Sequence, residues 1–454
     1  MKTIINLVRE IETLEGKTVH IGGWVRANRA QKEFGFLQVN DGTTLNHIQV
    51  VYESQLDNFK DIQKIGVGSS VEVEGVVVLT PDRPQPFEIK ATKVLLINEA
   101  GENYPIQPKR HSREFLREVA HLRPRTNLFN AVFRTRSVMS YAIHEFFQQR
   151  DFVHVHTPIF TGNDGEGAGE MFTVTTQKEF KNNDFSKDFF GKHIFLTVTG
   201  QLHAEAYAQA FRNVYTFGPT FRAEKSNTPK HASEFWMIEP EMAFTNLEEL
   251  MDVAEAMVKH LVKTLFDKLP AELELFDKFV EKGLKQRLEV VLNKPFYRIN
   301  HDEAIKILID SGKKFENTPK YGGDLATEHE KYLTEVHFDA PVFVMNWPKD
   351  IKAFYMRQNE DKKTVAAMDL LVAKSGELIG GSQREERFDL LEARMKELNM
   401  HSEGIEWYIN LRKLGGTTSS GFGLGFERLI MFVTGVENIR DVIPFPRTPR
   451  NCDY

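Results

Sequence analysis

The first hundred residues carry five runs in which apolar and polar side chains alternate, the pattern of half-buried β-strands. Valine is the commonest residue in these runs, and turn formers such as Asp41-Gly42 lie among the segments that separate them. Five strands of this length predict a small β-barrel. The five runs are residues 18–26, 34–40, 47–52, 70–79 and 87–97.

Alternation along these strands also predicts which side chains face outward. If Leu37 and Val39 fill the barrel, Phe36 faces out, and the same rule turns Gln49 and Glu88 outward. Aromatic rings beside hydrogen-bonding groups read single-stranded bases, so we expect a barrel of the oligonucleotide-binding (OB) kind. Alternatively, the outward phenylalanines pack against a neighbouring domain. The candidate base-reading residues are Arg26, Phe34, Phe36, Gln49 and Glu88.

Residues 109–136 are strongly basic, with eight Lys or Arg against two Glu, and they follow a linker-like segment at residues 99–108. Two interpretations are open. A cationic connector could follow a phosphate backbone. The same charges could equally form the solvated face of a helix.

From residue 127 onward the apolar period becomes helical. The first helix predicted by this spacing runs to the break at Arg150-Asp151. Another begins at Asn246, where Glu249, three residues later, completes a capping box. The apolar stripe of the first helix, which we assign to the core, contains Phe133, Met139, Ile143, Phe146 and Phe147.

Strands are interspersed among these helices. Residues 152–160 predict a strand ending near Pro158, and the glycine-rich residues 161–169 predict a loop beside a site. A barrel followed by separate strands and helices predicts the α+β class. Later segments with strand character are residues 341–346, 364–372, 376–387 and the start of 421–433.

The 454-residue length is too great for one ordinary core, so we expect an N-terminal barrel over residues 1–100, a basic hinge over 101–126 and a larger domain over 127–454. No apolar run approaches the roughly 20 residues of a membrane-spanning helix, and the N-terminus lacks a secretory cleavage site. The single cysteine, Cys452, excludes an internal disulfide framework. These features predict a cytoplasmic protein without membrane contact. The net charge of −6 argues against a wholly basic nucleic-acid coat, although a local basic face remains open.

Residues 220–244 read as two short strands joined by a polar loop with an unusual concentration of charge. Arg222 and Glu224 are two residues apart and would share one face of a strand, while Lys230 and His231 crowd the loop. A fixed guanidinium with a mobile cationic tip suits a nucleoside triphosphate. A solvated hairpin with incidental charges is the alternative.

Further residues add chemistry of the same kind. Arg428 lies near the start of a predicted helix, where phosphate is favoured, and joins Arg222 as a phosphate ligand. Asp369 and Glu377 can hold Mg²⁺ together with substrate phosphates, and Phe235 offers a surface for a purine. Taken singly, each carboxylate could be an ordinary surface or salt-bridged group.

Over essentially its whole length the chain resembles the aspartyl/asparaginyl subgroup of the class II aminoacyl-tRNA synthetases, and within it the asparaginyl branch. Motif 1 of the family matches the helix and strand ending at Pro158, motif 2 matches residues 220–241 and motif 3 matches residues 421–428. The resemblance implies an OB barrel followed by a class II catalytic domain, an antiparallel sheet of six or seven strands flanked by helices. It also implies a homodimer formed through motif 1. One departure is Thr418-Ser419, where the family usually has Pro-His.

The resemblance also implies roles for individual residues. ATP would contact Arg222, Glu224, His231, Phe235, Glu377 and Arg428, with Arg222 and Arg428 as the catalytic arginines. Mg²⁺ would be carried by Asp369 and Glu377. The α-amino group of the amino acid would be held by Glu166 and Gln201. The anticodon would be read by Phe36, Gln49 and Glu88, with Arg26 beside them.

The choice between asparagine and aspartate depends on fewer residues. A carboxamide needs one cation for its oxygen and one acceptor for its NH₂, whereas a carboxylate needs two cations. Aspartyl enzymes carry a lysine three residues after the glutamine that matches Gln201, and this chain has Ala204 there. Arg384 remains for the oxygen and Glu224 is the candidate acceptor, so we expect L-asparagine as substrate.

The implied reaction is a two-step ligation, in which ATP converts asparagine to asparaginyl-adenylate and a ribose hydroxyl of tRNA(Asn) then takes the amino acid. AMP and pyrophosphate are released. Three alternatives stay open: an aspartyl-tRNA synthetase, an amide ligase such as an asparagine synthetase on the same catalytic domain, and a protein that only binds nucleic acid.

Overall fold

The computed structural model describes residues 1–83, 85–163, 165, 170–178, 184–226, 228–400 and 402–454. The chain divides into two compact units, Met1–Phe133 and Arg134–Tyr454. The division falls inside a 22-residue helix, Asn127–Gln148. Each unit has its own hydrophobic core, so they are described in turn.

The first unit contains the predicted five-stranded barrel, closed in the order β1-β2-β3-β5-β4. Leu37, Val50 and Ile89 are fully buried inside it, as their alternation with polar residues requires. Strands β3 and β5 pair in parallel, and the other pairs are antiparallel. The strands are β1 Thr18–Ala30, β2 Phe34–Asn40, β3 Ile48–Glu53, β4 Ser70–Leu79 and β5 Phe87–Asn98.

The basic stretch is not simply a solvated helical face. Arg123 is fully buried, and its guanidinium carbon lies 4.5 Å from the ring centroid of Phe129. Such stacking lets an arginine fill apolar space while keeping its charge. The helices of this unit are α1 Ile4–Arg9, α2 Phe59–Ile62, α3 Arg113–Glu118 and the start of α4 Asn127–Gln148.

The second unit is built on an eight-stranded sheet in the order β12-β13-β14-β15-β16-β11-β10-β6. Its central strands are antiparallel, as the family resemblance implies, but both edge pairs, β12 with β13 and β10 with β6, are parallel. A small second sheet has the order β7-β9-β8. The strands are β6 Val153–His154, β7 Phe160–Thr161, β8 Thr173–Val174, β9 Ile194–Leu196, β10 Asn213–Phe221, β11 Glu234–Ala243, β12 Tyr297–Asn300, β13 Val342–Pro348, β14 Thr364–Val372, β15 Gly376–Gln383 and β16 Ser419–Gly425.

Helices flank this sheet. The capping box predicted at Asn246 is present: its side chain accepts from the backbone N–H of Glu249, whose carboxylate accepts from the Asn246 N–H. The helices are α5 Gln201–Phe211, α6 Leu247–Lys268, α7 Pro270–Phe279, α8 Leu284–Asn293, α9 His301–Asp310, α10 Thr327–Tyr332, α11 Phe388–Glu397, α12 Glu406–Asn410 and α13 Phe426–Thr434.

The strand predicted over residues 152–160 is wrong for most of its length. Only β6 and the first residue of β7 are strand, and residues 155–159 have no regular structure. Pro158 cannot donate to a ladder, so the chain leaves the main sheet before it joins the small one. Among the described residues, no helix is long and apolar enough to cross a membrane.

Candidate active site

The charged hairpin is formed by β10 and β11, paired from Asn213 with Met242 to Phe221 with Glu234. Arg222 therefore lies just beyond the strand, where its N–H donates to the Ser233 carbonyl at 3.0 Å. The expectation that Arg222 and Glu224 share a strand face is wrong, because β10 ends at Phe221 and both residues lie beyond it. Both nevertheless line one cavity.

This cavity, which we call the nucleotide cavity, has a volume of about 480 Å³. The guanidinium carbon of Arg222 lies 5.6 Å from the ring centroid of Phe235, so cation and aromatic surface are adjacent. Burial and the guanidinium of Arg428 lower the pKa of His231, which favours its neutral form. Six predicted ATP-binding residues line the cavity: Arg222, Glu224, His231, Phe235, Glu377 and Arg428.

Glycines of β16 form part of the wall. A Cβ on Gly423 would lie 2.8 Å from the Met237 side chain. Glycine therefore lets β16 pack closely on β11, and Gly423 and Gly425 also line the nucleotide cavity. Gly425 is the N-cap of α13, and Arg428 follows in the first turn of that helix.

A smaller cavity of about 240 Å³, the amino-acid cavity, adjoins the first. Arg222 and Glu377 line both, so the arginine stands where an amino acid and a phosphate would meet. Arg384 and Gln201 line the smaller cavity, as predicted, whereas Glu224 does not. Further lining residues include Thr199, Glu239, Glu241, Lys352, Tyr355 and Asp369.

Arg384 is only 3% exposed, and each of its three nitrogens donates to a neighbouring side chain. Its Nε donates to Glu241 Oε2 at 3.1 Å, its Nη2 donates to Glu241 Oε1, and its Nη1 donates to Ser382 Oγ at 2.9 Å. Burial raises the pKa of Glu241, and the arginine opposes that rise. The pair holds the guanidinium in one orientation at the wall of the cavity.

Gln201, the first residue of α5, is fixed by a second buried network. Its Nε2 donates to Glu205 Oε1 at 3.0 Å. Glu205 also accepts from the Tyr408 hydroxyl at 3.0 Å and from Arg412 Nη2 at 3.1 Å. A residue held this firmly can present its amide to a ligand with little loss of entropy.

Sequence reasoning missed two acidic residues of this cavity. Glu239 is 5% exposed, and its carboxylate accepts from the Gly200 N–H at 2.9 Å and from the Thr199 hydroxyl. Glu241 is fully buried. Two glutamates in the apolar strand β11 are a signal that could have found them, because unpaired carboxylates are rarely buried.

Asp369 and Glu377 converge on Gly380. A Cβ on that glycine would lie 3.0 Å from Glu377 Oε1 and 3.5 Å from Asp369 Oδ1. Burial raises the pKa of Asp369 to about 7, and the Glu377 carboxylate adds to the rise, while Lys352 Nζ donates to Asp369 Oδ2 at 2.7 Å. Two nearby oxygen donors fit Mg²⁺, which commonly takes one or two carboxylates and completes its shell with water and phosphate. Within the described ranges, no group of three or more His, Cys, Asp or Glu side chains is arranged to hold a metal.

Two regions match known family models. Residues 112–449 match the model for class II tRNA synthetases (D, K and N), and residues 19–97 match the OB-fold nucleic acid binding domain. The chain belongs to the class II tRNA synthetase family. It is 61% identical over 457 residues to the asparagine–tRNA ligase of Acholeplasma laidlawii, covering 99% of each chain. It is 59% identical over 463 residues to that of Clostridium novyi, covering 100% of each. The asparaginyl-tRNA synthetase of Pyrococcus horikoshii, solved with asparaginyl-adenylate, superposes with a TM-score of 0.87 at 34% identity, covering 97% of each chain.

The three motifs of this class II synthetase meet at one side chain. Glu427 in α13 is 2% exposed. Its Oε1 accepts from Arg136 Nη2 in α4 at 2.7 Å, and its Oε2 accepts from the Trp236 N–H in β11 at 2.9 Å. The motif 1 helix, the motif 2 strand and the motif 3 helix are therefore joined by one buried carboxylate.

The barrel of the synthetase brings three of the four predicted anticodon-reading residues to one face. Gln49 Nε2 donates to Glu88 Oε2 at 3.0 Å. Gln38 pairs with Gln49 across the strands, and Phe36, two residues before Gln38, shares that face. Phe36 also contacts Phe34 edge-to-face, with 5.4 Å between their centroids.

Arg26 lines a cavity of about 740 Å³ in the first unit, together with His47, Tyr104 and Gln38 of that face. Burial lowers the pKa of His47 to about 4, and the charge of Arg26 adds to the effect. Within the described part of the unit, Arg26 Nε and His47 Nδ1 have no hydrogen-bond partner.

Two residues from the substrate argument need separate comment. Glu166 lies outside the described residues, so its predicted role stays a prediction. Ala204 is fully buried in an apolar cluster with Val155, Ala208 and Val214. A lysine at this position would have to displace that cluster, so a lysine substitution there is a poor probe of specificity.

Proposed function

We propose that this synthetase attaches L-asparagine to tRNA(Asn), with ATP as co-substrate and asparaginyl-adenylate as intermediate. The observation that carries the proposal is the small cavity in which one fixed guanidinium, Arg384, lies beside the carboxylates of Glu239 and Glu241. It adjoins the nucleotide cavity at Arg222. The asparagine–tRNA ligases similar to this chain over their full length support the same substrate.

The charges of the amino-acid cavity favour an amide over an acid. The carboxamide oxygen would accept from Arg384, and its NH₂ would donate to a buried carboxylate. Glu239 and Glu241 are better placed for this than Glu224, because they line the same cavity as Arg384. An aspartate side chain would bring a further carboxylate beside Glu239 and Glu241, where Arg384 is already paired with Glu241, a mismatch that can cost roughly 10⁴-fold in selectivity.

The first step needs positioning and charge stabilisation rather than a protein nucleophile. The asparagine carboxylate attacks the α-phosphorus in line, and pyrophosphate leaves. Arg222 would hold the α-phosphate and the attacking carboxylate, Arg428 the γ-phosphate, and Phe235 would stack on adenine. Gln201 would orient the α-amino group, and His231 would contact the triphosphate.

Asp369 and Glu377 would hold Mg²⁺, which when bound neutralises phosphate charge. Phe36, Gln49 and Glu88 would read the anticodon, with Arg26 in the adjoining cavity. We further propose that the enzyme is cytoplasmic and forms a homodimer through α4, the motif 1 helix.

Exchange of labelled pyrophosphate into ATP tests the function. We expect exchange that depends on asparagine, with aspartate at least 10³-fold less effective. Exchange with aspartate alone would make the enzyme an aspartyl-tRNA synthetase. Formation of asparagine from aspartate and ammonia would make it an amide ligase. Arg222→Ala should abolish exchange while circular dichroism stays unchanged, and exchange-competent Arg222→Ala would refute the phosphate role.

A further inference from the structure

Glu205 is a buried carboxylate behind the amino-acid cavity, on a mostly apolar face of α5. It is 3% exposed, and its buried neighbours on the same helix include Leu202, Ala204 and Ala208. Burying a charge is costly unless the charge is paired and hydrogen-bonded. Among the described residues that line the nucleotide and amino-acid cavities, Glu205 does not occur. Any effect that it has on a substrate must therefore pass through its partners.

The carboxylate of Glu205 lies between two guanidinium groups. Its Oε1 is 3.7 Å from Arg384 Nε, and its Oε2 accepts from Arg412 Nη2 at 3.1 Å. Oε1 also accepts from Gln201 Nε2 and from the Tyr408 hydroxyl, each at 3.0 Å. Arg384 and Gln201 line the amino-acid cavity. One oxygen of Glu205 therefore contacts residues of the cavity wall, and the other contacts Arg412 behind that wall.

Arg412 is held in one place by its own contacts. Its side chain is 3% exposed, its Nε donates to the Glu385 carbonyl at 2.9 Å, and its Nη1 donates to the Tyr408 carbonyl at 3.1 Å. Its guanidinium carbon lies 4.2 Å from the ring centroid of Tyr408. Arg412 thus gives Glu205 a fixed cation of its own, which offsets the cost of burying that carboxylate.

Arg384 is shared by two carboxylates. Glu241 accepts from its Nε and Nη2, and Glu205 approaches the same Nε. Burial works against the charge of Arg384, but the carboxylates of Glu241 and Glu205 outweigh burial and raise the pKa of Arg384. Burial also raises the pKa of Glu241, and the charge of Glu205 adds to that rise. Two acidic groups therefore compete for one cation, which leaves Arg384 little positive charge for a carboxylate of the ligand.

We propose that Glu205 is a positioning residue that sets the preference for an uncharged side chain, because it balances the charge of Arg384 from behind the cavity wall. The inference rests on the proposed function, in which Arg384 binds the carboxamide oxygen of asparagine. That oxygen needs only an N–H donor, which Arg384 remains when its charge is balanced. The carboxylate of aspartate needs net positive charge, which Glu205 removes.

The test replaces the ion pair by neutral side chains of similar size, in the double variant Glu205→Gln/Arg412→Met. Glutamine can still accept hydrogen bonds from Gln201 and Tyr408, and neither charge of the pair is left buried alone. Pyrophosphate exchange gives kcat/KM for asparagine and for aspartate, and their quotient is the selectivity ratio. We expect this ratio to fall at least about tenfold, while the KM for ATP changes less than about twofold.

Glu205→Gln alone tests the same charge should the double variant fail to fold. It retains Arg412, so the surroundings of Arg384 gain still more positive charge. The selectivity ratio should then fall at least as far as in the double variant.

Two controls separate charge from structure. Tyr408→Phe removes a hydrogen bond to Glu205 but no charge, so the selectivity ratio should stay within about twofold of wild type even where exchange slows. Glu281→Gln/Arg287→Met neutralises another ion pair of the second unit, with 2.8 Å between Glu281 Oε1 and Arg287 Nε. It should leave the ratio unchanged, since neither residue is among the described residues that line the two cavities.

The outcomes are distinct. An equal loss of exchange with both amino acids in folded Glu205→Gln/Arg412→Met would show that the pair only supports the fold, and would overturn the proposal. A fall in the ratio of the same size in Tyr408→Phe would overturn it too, because that variant keeps both charges. Circular dichroism establishes that each variant is folded. Failure of the proposed function would show instead in the wild-type enzyme, as exchange that asparagine does not support.

Discussion

At the scale of single residues, the proposed selectivity for asparagine depends on buried charge in the amino-acid cavity. Arg384 and Glu241 are taken out of water together, a costly arrangement that well-packed apolar side chains could often replace without loss of stability. The pair fixes the arginine, because a guanidinium held by a carboxylate presents its remaining N–H groups in one orientation. Under the proposed function, stability and substrate choice depend on the same two side chains.

Removing the arginine alone should expose that dependence. Arg384→Met leaves Glu241 buried without its cation, so we expect the free energy of unfolding of the second unit to fall by about 3–5 kcal/mol and exchange activity to disappear. Urea unfolding followed by tryptophan fluorescence measures this, since Trp236, Trp347 and Trp407 lie in that unit. The double variant Arg384→Met/Glu241→Gln should recover more than half of the stability and none of the activity. A double variant as unstable as the single one would show that the cost comes from lost packing instead.

The sequence predicted the residues that carry a motif but not those defined by burial. Arg222, Phe235 and Arg428 stand at fixed places in recognisable motifs, and the structure gathers them around one cavity. No ligand-binding role marked Glu239 and Glu241 in the sequence, and the only sign of them there is their place in the apolar strand β11. Arg26 lies at a bulge between Val25 and Ala27, where the strand register shifts, so strict alternation could not predict where its side chain faces.

At the scale of elements, local chemistry predicted boundaries better than pairing. The capping box fixes the start of α6 because its two hydrogen bonds involve only residues 246 and 249. The eight-stranded order could not be predicted in the same way, since partners such as β11 and β16 are far apart in sequence. The strand prediction over residues 152–160 was wrong for the same reason, because the strands available for pairing decide where this segment joins a sheet.

Asn246→Ala tests the local rule. Losing the cap should cost about 1 kcal/mol, expressed first as fraying of the initial turn of α6. Hydrogen exchange followed by mass spectrometry on peptides covering that turn would show faster exchange, with exchange in the middle of the helix little changed. Lys263→Ala on the exposed face of the same helix should change neither region. Unchanged hydrogen exchange in Asn246→Ala would mean that tertiary packing alone sets the start of α6.

At the scale of the whole molecule, the residues proposed to read the anticodon and those proposed to bind the substrates belong to different units. The outward face of the barrel holds Phe36, Gln49 and Glu88, while every residue assigned to the nucleotide and amino-acid cavities belongs to the second unit. The net charge of −6 fits this division, because nucleic-acid contact is confined to local surfaces.

Phe36→Ala should impair tRNA charging and leave pyrophosphate exchange intact. Losing one stacking surface is worth about 1–3 kcal/mol, so the KM for tRNA(Asn) should rise roughly 5- to 150-fold. Exchange of pyrophosphate into ATP needs no tRNA and should stay within twofold of wild type. Leu95→Ala removes an exposed apolar side chain from β5, seven residues from Glu88, and provides a matched control. Equal loss of charging and exchange in Phe36→Ala would contradict the division of labour.

The carboxylate of Glu427 links helix α4 to the β10–β11 hairpin. It has only two oxygens, and one is held by helix α4 while the other is held by the hairpin that carries Arg222. A shift of α4 must therefore lengthen or re-aim a bond to the same carboxylate that holds the hairpin. The positions of the motif 1 helix and of the hairpin are thus set together by one buried side chain.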